Sequence, residues 1–271
     1  MLSASRGQLQ SSRALVNIRG MWRFAGFLVS LGLWGCLAAD AQRGTRKEYA
    51  WAKQVLLGSE IGDQRGVVVR WQLPVHYLIV SPPPRFQAAV EDAFRLLSES
   101  LAGSHAFTLE HVTERDHRIG KDGYVTVFPK APRHATALAS LHGAQKPHPN
   151  ADGWFTIVWN GRFELTRGLV FVDPYLPEKW LRHTALEEMF QALGPSNDSP
   201  RIRDSLVFES SSMAGSNDYL ARVDIEILRL LYEGLKPGDS ARDIERVMNQ
   251  SWDFGAMSPS VTSKAAPKPQ V

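Results

Sequence analysis

The segment His183-Thr-Ala-Leu-Glu-Glu-Met-Phe-Gln-Ala-Leu-Gly194, followed by Pro195, decides how the rest of the chain is read. Leu186, Met189, Phe190 and Leu193 recur at spacings of three and four, which makes one apolar stripe along an α-helix. His183, Glu187 and Gln191 follow at intervals of four and fall beside that stripe, with Glu188 next to them. Gly194 suits a left-handed helix stop, and Pro195 prevents continuation. A helix over about 177–193 therefore packs by its Leu/Met/Phe side and brings an acid-rich polar face to a turn. Taken alone, that face reads as solvated and His183 as an ordinary surface histidine.

Upstream, Val67 to Val80 holds two β-rich runs separated by Pro74. Val90, Phe94, Leu97 and Leu101 then repeat at helical spacing, and Gly103 ends the pattern. Phe107–Val112, Tyr124–Phe128, Trp154–Asn160 and Leu165–Asp173 read as strands. Between them, 130–152 is rich in Pro, His, Ala and Gly and reads as a long surface loop, with a short helical piece near 135–141. Downstream, a loop to Asn217 leads to a helix over 218–233. Ser240-Ala-Arg-Asp243 is a capping box for a last helix ending near Trp252. The expected fold is one α+β domain over 66–254: a mixed, mostly parallel twisted sheet backed by helices, with a helical C-terminal part.

The frame around the motif helix resembles that of the metzincin zinc peptidases, His-Glu-x-x-His-x-x-Gly-x-x-His/Asp. In that frame two histidines one turn apart bind zinc, the intervening Glu acts on metal-bound water, and the Gly turns the chain toward a third ligand. Here it reads Glu187-Glu188-Met-Phe-Gln191-Ala-Leu-Gly194-Pro-Ser-Asn197-Asp198. Glu188 keeps the general-base position and Gly194 the turn glycine. Glu187 and Gln191 replace both helix ligands, and the third position falls on Asn197, with Asp198 beside it. Ser205-Leu-Val-Phe208 resembles the metzincin Ser-Leu-Met-Tyr turn, with Val207 in place of the Met that lies under the metal. Asp224, Leu228 and Leu231-Tyr232 resemble the family's closing helix. More narrowly, Glu-Glu-x-x-Gln-Ala-Leu-Gly with Asn-Asp, Leu-Leu-Tyr and Leu-Lys-Pro-Gly is similar to a family of secreted bacterial proteins carried as a domain of unknown function.

The resemblance implies a zincin-like scaffold, and ligand chemistry decides what it does. Zinc at neutral pH favours imidazole and thiolate; a carboxylate with two amides is a hard, weak set suited to Ca²⁺ or Mg²⁺. No histidine follows the motif helix, so the third position is not a histidine. A shifted set of His183, Glu187 and Asp198 would leave Glu188 badly placed as a base. The expectation is a pseudopeptidase with no resident cofactor, binding a peptide or a cell-envelope component in the old cleft. Two alternatives stay open: a metal-dependent hydrolase, using zinc or another divalent ion with Glu188 as base, and an envelope lipoprotein with a structural role.

The N-terminus supplies the compartment. Arg23 precedes an apolar run from Phe24 to Leu37, and Ala39-Asp40-Ala41 offers small residues for cleavage before Gln42. The run falls short of the roughly 20 residues that a membrane span needs and fits a signal peptide over 1–41, with Met21 as an alternative start. The expected location is therefore export to the periplasm or beyond, with membrane contact only through the leader or a lipid. Cys36 is the only cysteine, in a Leu-Trp-Gly-Cys setting that half resembles a lipoprotein box. If cleavage removes it, disulfides, thiolate zinc sites and cysteine catalysis are excluded. Residues 42–65 read as a polar lead-in and 255–271 as a disordered tail. The formal net charge is only +3, with several arginines in the leader, so no basic nucleic-acid surface is expected.

Ser210-Ser-Ser212 lacks a nucleophile-elbow context, and Gly120-Lys121 lacks the rest of a phosphate loop. The aromatic run Trp154, Phe155, Trp159 and Phe163 reads as edge-strand and cleft packing rather than a sugar platform.

Overall fold

A computed structural model describes residues 46–58, 66–72, 74–101, 107–143, 145–208 and 217–252, all within the compact unit Thr45–Val271. The leader with Cys36, the C-terminal tail and Ser210–Ser212 lie outside the described residues.

The described residues open with α1 (residues 46–57), where 42–65 reads as a lead-in from sequence. Trp51, Ala52, Val55 and Leu56 are buried, so the helix belongs to the core. Its flanking Arg, Lys and Gln residues give the segment a polar composition, but spacings of one, four and five still put these four on one face. Next come β1 (Arg70–Trp71), β2 (Val75–Val80), α2 (Pro84–Ser100), β3 (Phe107–Val112) and β4 (Tyr124–Pro129). A 3₁₀ turn at Pro132–His134, α3 (Thr136–Leu141), β5 (Gly153–Trp159) and β6 (Glu164–Val172) follow. The described residues end in α4 (Glu178–Gln191), α5 (Arg222–Arg229), which runs into a π-helical turn at Leu230–Gly234, and α6 (Ala241–Ser251).

The sheet order is β3-β2-β4-β6-β5. Those strands pair in parallel up to β6, β5 closes the edge antiparallel to β6, and β1 pairs in parallel with the start of β6. The fold is thus a mixed α/β one with a mostly parallel sheet backed by helices. Strands covered on both faces need apolar residues at successive positions rather than alternation. Accordingly Val75, Tyr77 and Ile79 of β2 face the main core with α2, α4 and α5, whereas Leu78 and Val80 face a smaller core under α3. Strand β4 divides in the same way, Val125 and Val127 to one side and Phe128 to the other.

The expected helix over 218–233 starts four residues later, at Arg222, because Asp224 caps it by accepting from the backbone N–H of Ala221 at 2.9 Å. The Ser240 box forms as read: Asp243 accepts from the Ser240 N–H at 3.0 Å and from its hydroxyl at 2.7 Å. The 130–152 segment is less of a loop than its composition implies, since Ala135 and Ala139 pack into the smaller core.

Candidate functional site

Helix α4 starts after Pro177, with Glu178 in its first turn, where a carboxylate favours the helix dipole. At its other end three aromatic residues satisfy carbonyls that the helix leaves open. The Tyr77 hydroxyl donates to Met189 at 3.4 Å, the Trp71 indole to Ala192 at 2.9 Å and the Tyr232 hydroxyl to Leu193 at 2.8 Å. Burial pushes the Tyr232 phenol well above its usual range, so it remains a donor. Gly194 then turns the chain at φ +130°, and a Cβ there would stand 2.8 Å from the Val69 carbonyl oxygen. The end of α4 is held by both sheet and closing helix, and the turn after it is fixed.

The polar face of α4 is buried rather than solvated. His183 is 4% exposed, Glu188 8% and Gln191 2%. With Glu187, Thr184 and Asp198 they line a cleft of about 380 Å³ whose opposite wall is the start of β5. Trp154 and Trp180 add aromatic surface to that cleft, whereas Trp159 and Phe163 point outward at 40% and 37% exposure. Gly153 allows the edge strand to come this close: a Cβ there would lie 2.4 Å from Glu188 Oε1 and 2.4 Å from Thr184 Cγ2. Gly153→Ala should therefore push β5 and Glu188 apart and cost about 1–3 kcal/mol, read as a lowered Tm. Gly161→Ala, with nothing within 4 Å of its Cβ, is the control expected to leave Tm unchanged.

Within the cleft the candidate ligands are engaged with one another. His183 Nε2 lies 3.2 Å from Glu187 Oε2, and its Nδ1 lies 2.8 Å from the Asn217 carbonyl oxygen. Burial lowers the His183 pKa, but the Glu187 carboxylate, the Asn217 carbonyl and Asp218 together outweigh it, and the net shift is upward. A raised histidine pKa stabilises the fold fully below the unfolded value near 6.5, and the gain disappears as pH climbs through the folded value. Glu187→Gln should then lower stability by about 1.5 kcal/mol at pH 6 and by progressively less in alkaline buffer. Thermal melts of both proteins from pH 5 to 9 measure this; a gap independent of pH would refute the ion pair.

The turn carries the other contact. Gln191 Nε2 donates to Asp198 Oδ1 at 2.8 Å, and the Gln54 amide of α1 donates to the Asp198 carbonyl at 3.1 Å. Asp198 faces the cleft. Asn197, on which the family frame would place the third ligand, instead packs against Gly58, whose added Cβ would meet Asn197 Cγ at 2.7 Å. Val207 is fully buried beneath this turn, and its carbonyl accepts from Ser199 N–H at 2.9 Å. Asp224, which sequence places only in a helix pattern, anchors the same region. It accepts from Ser205 Oγ at 2.7 Å and Leu206 N–H at 2.9 Å, across 19 and 18 residues of chain.

The donor set of this arrangement is not the imidazole and thiolate set that zinc favours. Gln191 offers only a neutral amide oxygen while its Nε2 donates to Asp198, and Glu187 is paired with His183. Among the described residues no three His, Cys, Asp or Glu side chains converge as a metal site would require. What the cleft offers is a row of carboxylates, one imidazole and aromatic walls beside a sheet edge.

A family model for proteins of unknown function, DUF2927, matches residues 52–250. The chain belongs to that family. The DUF2927 match begins inside α1 and ends inside α6, so it takes in the second half of α1. No curated protein matches the chain.

Proposed function

We propose that this DUF2927 protein is an exported, metzincin-like pseudopeptidase that holds an extended peptide between β5 and α4 without cleaving it. The observation carrying this reading is the cleft itself. An edge strand that pairs only with β6 among the described residues runs along a helix whose general-base position, Glu188, is retained. An exposed strand edge is a template for an added strand: main-chain hydrogen bonds supply affinity and flanking pockets supply selectivity. Trp154 and Trp180 would flank such a segment. The metzincin likeness rests on the motif frame, on Gly194 turning the chain and on Val207 beneath the turn. The loss of both helix ligands supports binding over hydrolysis.

Export rests on the leader sequence alone. No helix among the described residues is long and apolar enough to cross a membrane. The test is a peptide array probed with protein purified without added metal, followed by mass spectrometry of the bound peptides. Retention of intact peptides, weakened by Gly153→Ala, is the expected outcome. Stoichiometric zinc or cleaved peptides would overturn the pseudopeptidase.

The burial of Glu188 in the cleft favours a second reading, a metal-dependent hydrolase with unusual ligands. It predicts that Glu188→Gln abolishes a hydrolytic activity that chelation also removes. The lipoprotein reading rests on Cys36, and mass spectrometry showing cleavage at Ala41 without acyl chains would eliminate it.

A further inference from the structure

We infer that a second cavity, across the sheet from the cleft, is a binding site for a small, uncharged, predominantly apolar molecule bearing a ring. Its position follows from how the chain leaves the sheet. Strands β2 and β4 are parallel neighbours. Strand β2 exits into α2, which packs on the α4 face, whereas β4 exits through Pro132–His134 into α3 on the opposite face. In an open sheet, adjacent strands whose connections diverge to opposite faces leave a crevice outside their carboxyl ends, and ligands bind there. The cavity opens at that point: Val80 ends β2, and Phe128 and Pro129 end β4.

Its chemistry narrows the ligand. The volume is about 440 Å³, larger than the cleft and within the range of small-molecule sites. Val80, Ile119, Phe128, Pro129, Leu138 and Leu141 supply apolar walls. Leu141 is 76% exposed at the mouth, a large apolar side chain left in water unless something covers it. Phe128 stacks on Phe171 at 5.0 Å and lies near the His142 ring at 6.4 Å, so aromatic faces border the space. The His142 pKa is lowered, by burial first and then by Arg167 and Lys121. It therefore presents a neutral donor or acceptor to one polar group of the ligand rather than a charge. At the rim, Asp116 pairs with Arg118 at 2.9 Å, which also holds Glu110 at 2.8 Å, and Glu114 and Lys130 bring one charge of each sign. Six apolar lining residues against three charged ones favour a predominantly apolar ligand over an ion.

The experiment is a fluorescence titration of the purified protein with N-phenyl-1-naphthylamine, a neutral apolar probe that brightens out of water. Saturable binding at one probe per chain is expected. Leu141→Glu places a charge at the mouth without touching the core and should weaken binding roughly tenfold or more with Tm unchanged. Glu187→Gln, in the cleft on the other face, should leave it unaltered. Non-saturable binding, or saturable binding insensitive to Leu141→Glu, would overturn the site. Should Leu141→Glu lower Tm, a crystal soaked with the probe decides by whether the probe lies between α3 and β4.

Discussion

Replacing Asp224 with alanine is expected to lower the stability of the domain by about 3–5 kcal/mol, a fall of about 10 °C or more in Tm. The carboxylate is fully buried and accepts three hydrogen bonds, from Ser205 Oγ, Leu206 N–H and Ala221 N–H. Alanine would leave three donors facing a void, and unsatisfied buried donors cost far more than a made hydrogen bond gains. These bonds also tie α5 to the 205–207 turn, and Val207 in turn receives the Ser199 N–H. The damage should thus reach the turn that presents Asp198 to the cleft. Asp224→Asn is the milder case, at about 2 kcal/mol, because its amide nitrogen must face one of the backbone donors.

The same residue sets a pH dependence. Burial pushes the Asp224 carboxyl up, its three donors pull it back, the Glu187 charge adds a further push, and the net value is about 7. A folded pKa above the unfolded one, near 3.9, means the native state holds the proton more tightly. That contribution is complete below about pH 4 and is lost as pH rises through about 7. Wild-type stability should therefore decline across this window. The Asn variant, with nothing to titrate there, should show a flatter profile in chemical denaturation at fixed temperature. His183, also shifted upward, adds a decline of the same sign at higher pH.

These contacts mark where local sequence stops being informative. The spacing of Leu186, Met189, Phe190 and Leu193 gave the face that α4 packs, because helical periodicity is a property of neighbours in the chain. Strands β2, β4 and β6 were legible for the same reason, as was the capping box at Ser240 and Asp243. The helical wheel could place Glu188 and Gln191 beside the stripe but could not say that they are buried. Their burial depends on β5 and the 195–199 turn arriving over them, and on Gly153 having no side chain to prevent it. The choice of Asp198 over Asn197 was equally invisible, since Gly58 of α1 draws Asn197 away. Helix α1 escapes a local reading for a different reason: its apolar face is present in the sequence but diluted by charged flanks. The second cavity is assembled by strand order, and strand order is not a local property.

If α4 and its turn keep a metzincin-like frame, two substitutions should complete a zinc site of that family's ligand type. Glu187→His together with Gln191→His would put two imidazoles one helical turn apart, the spacing that suits a tetrahedral zinc ion. Gln191 already reaches Asp198 at 2.8 Å, so the turn holds a carboxylate within reach of the helix as third ligand. The double variant should bind one zinc per chain with a dissociation constant in the micromolar range or tighter, against no measurable uptake by the wild type. Isothermal titration with zinc, and a Tm that rises with zinc, would measure it. Adding Asp198→Ala should reduce the affinity sharply, whereas adding Asn197→Ala should not, because Asn197 packs toward Gly58 and away from the cleft. A folded double variant that takes up no zinc would separate this helix and turn from the metzincin frame. It would leave the proposed binding of peptide between β5 and α4 to be judged on binding alone.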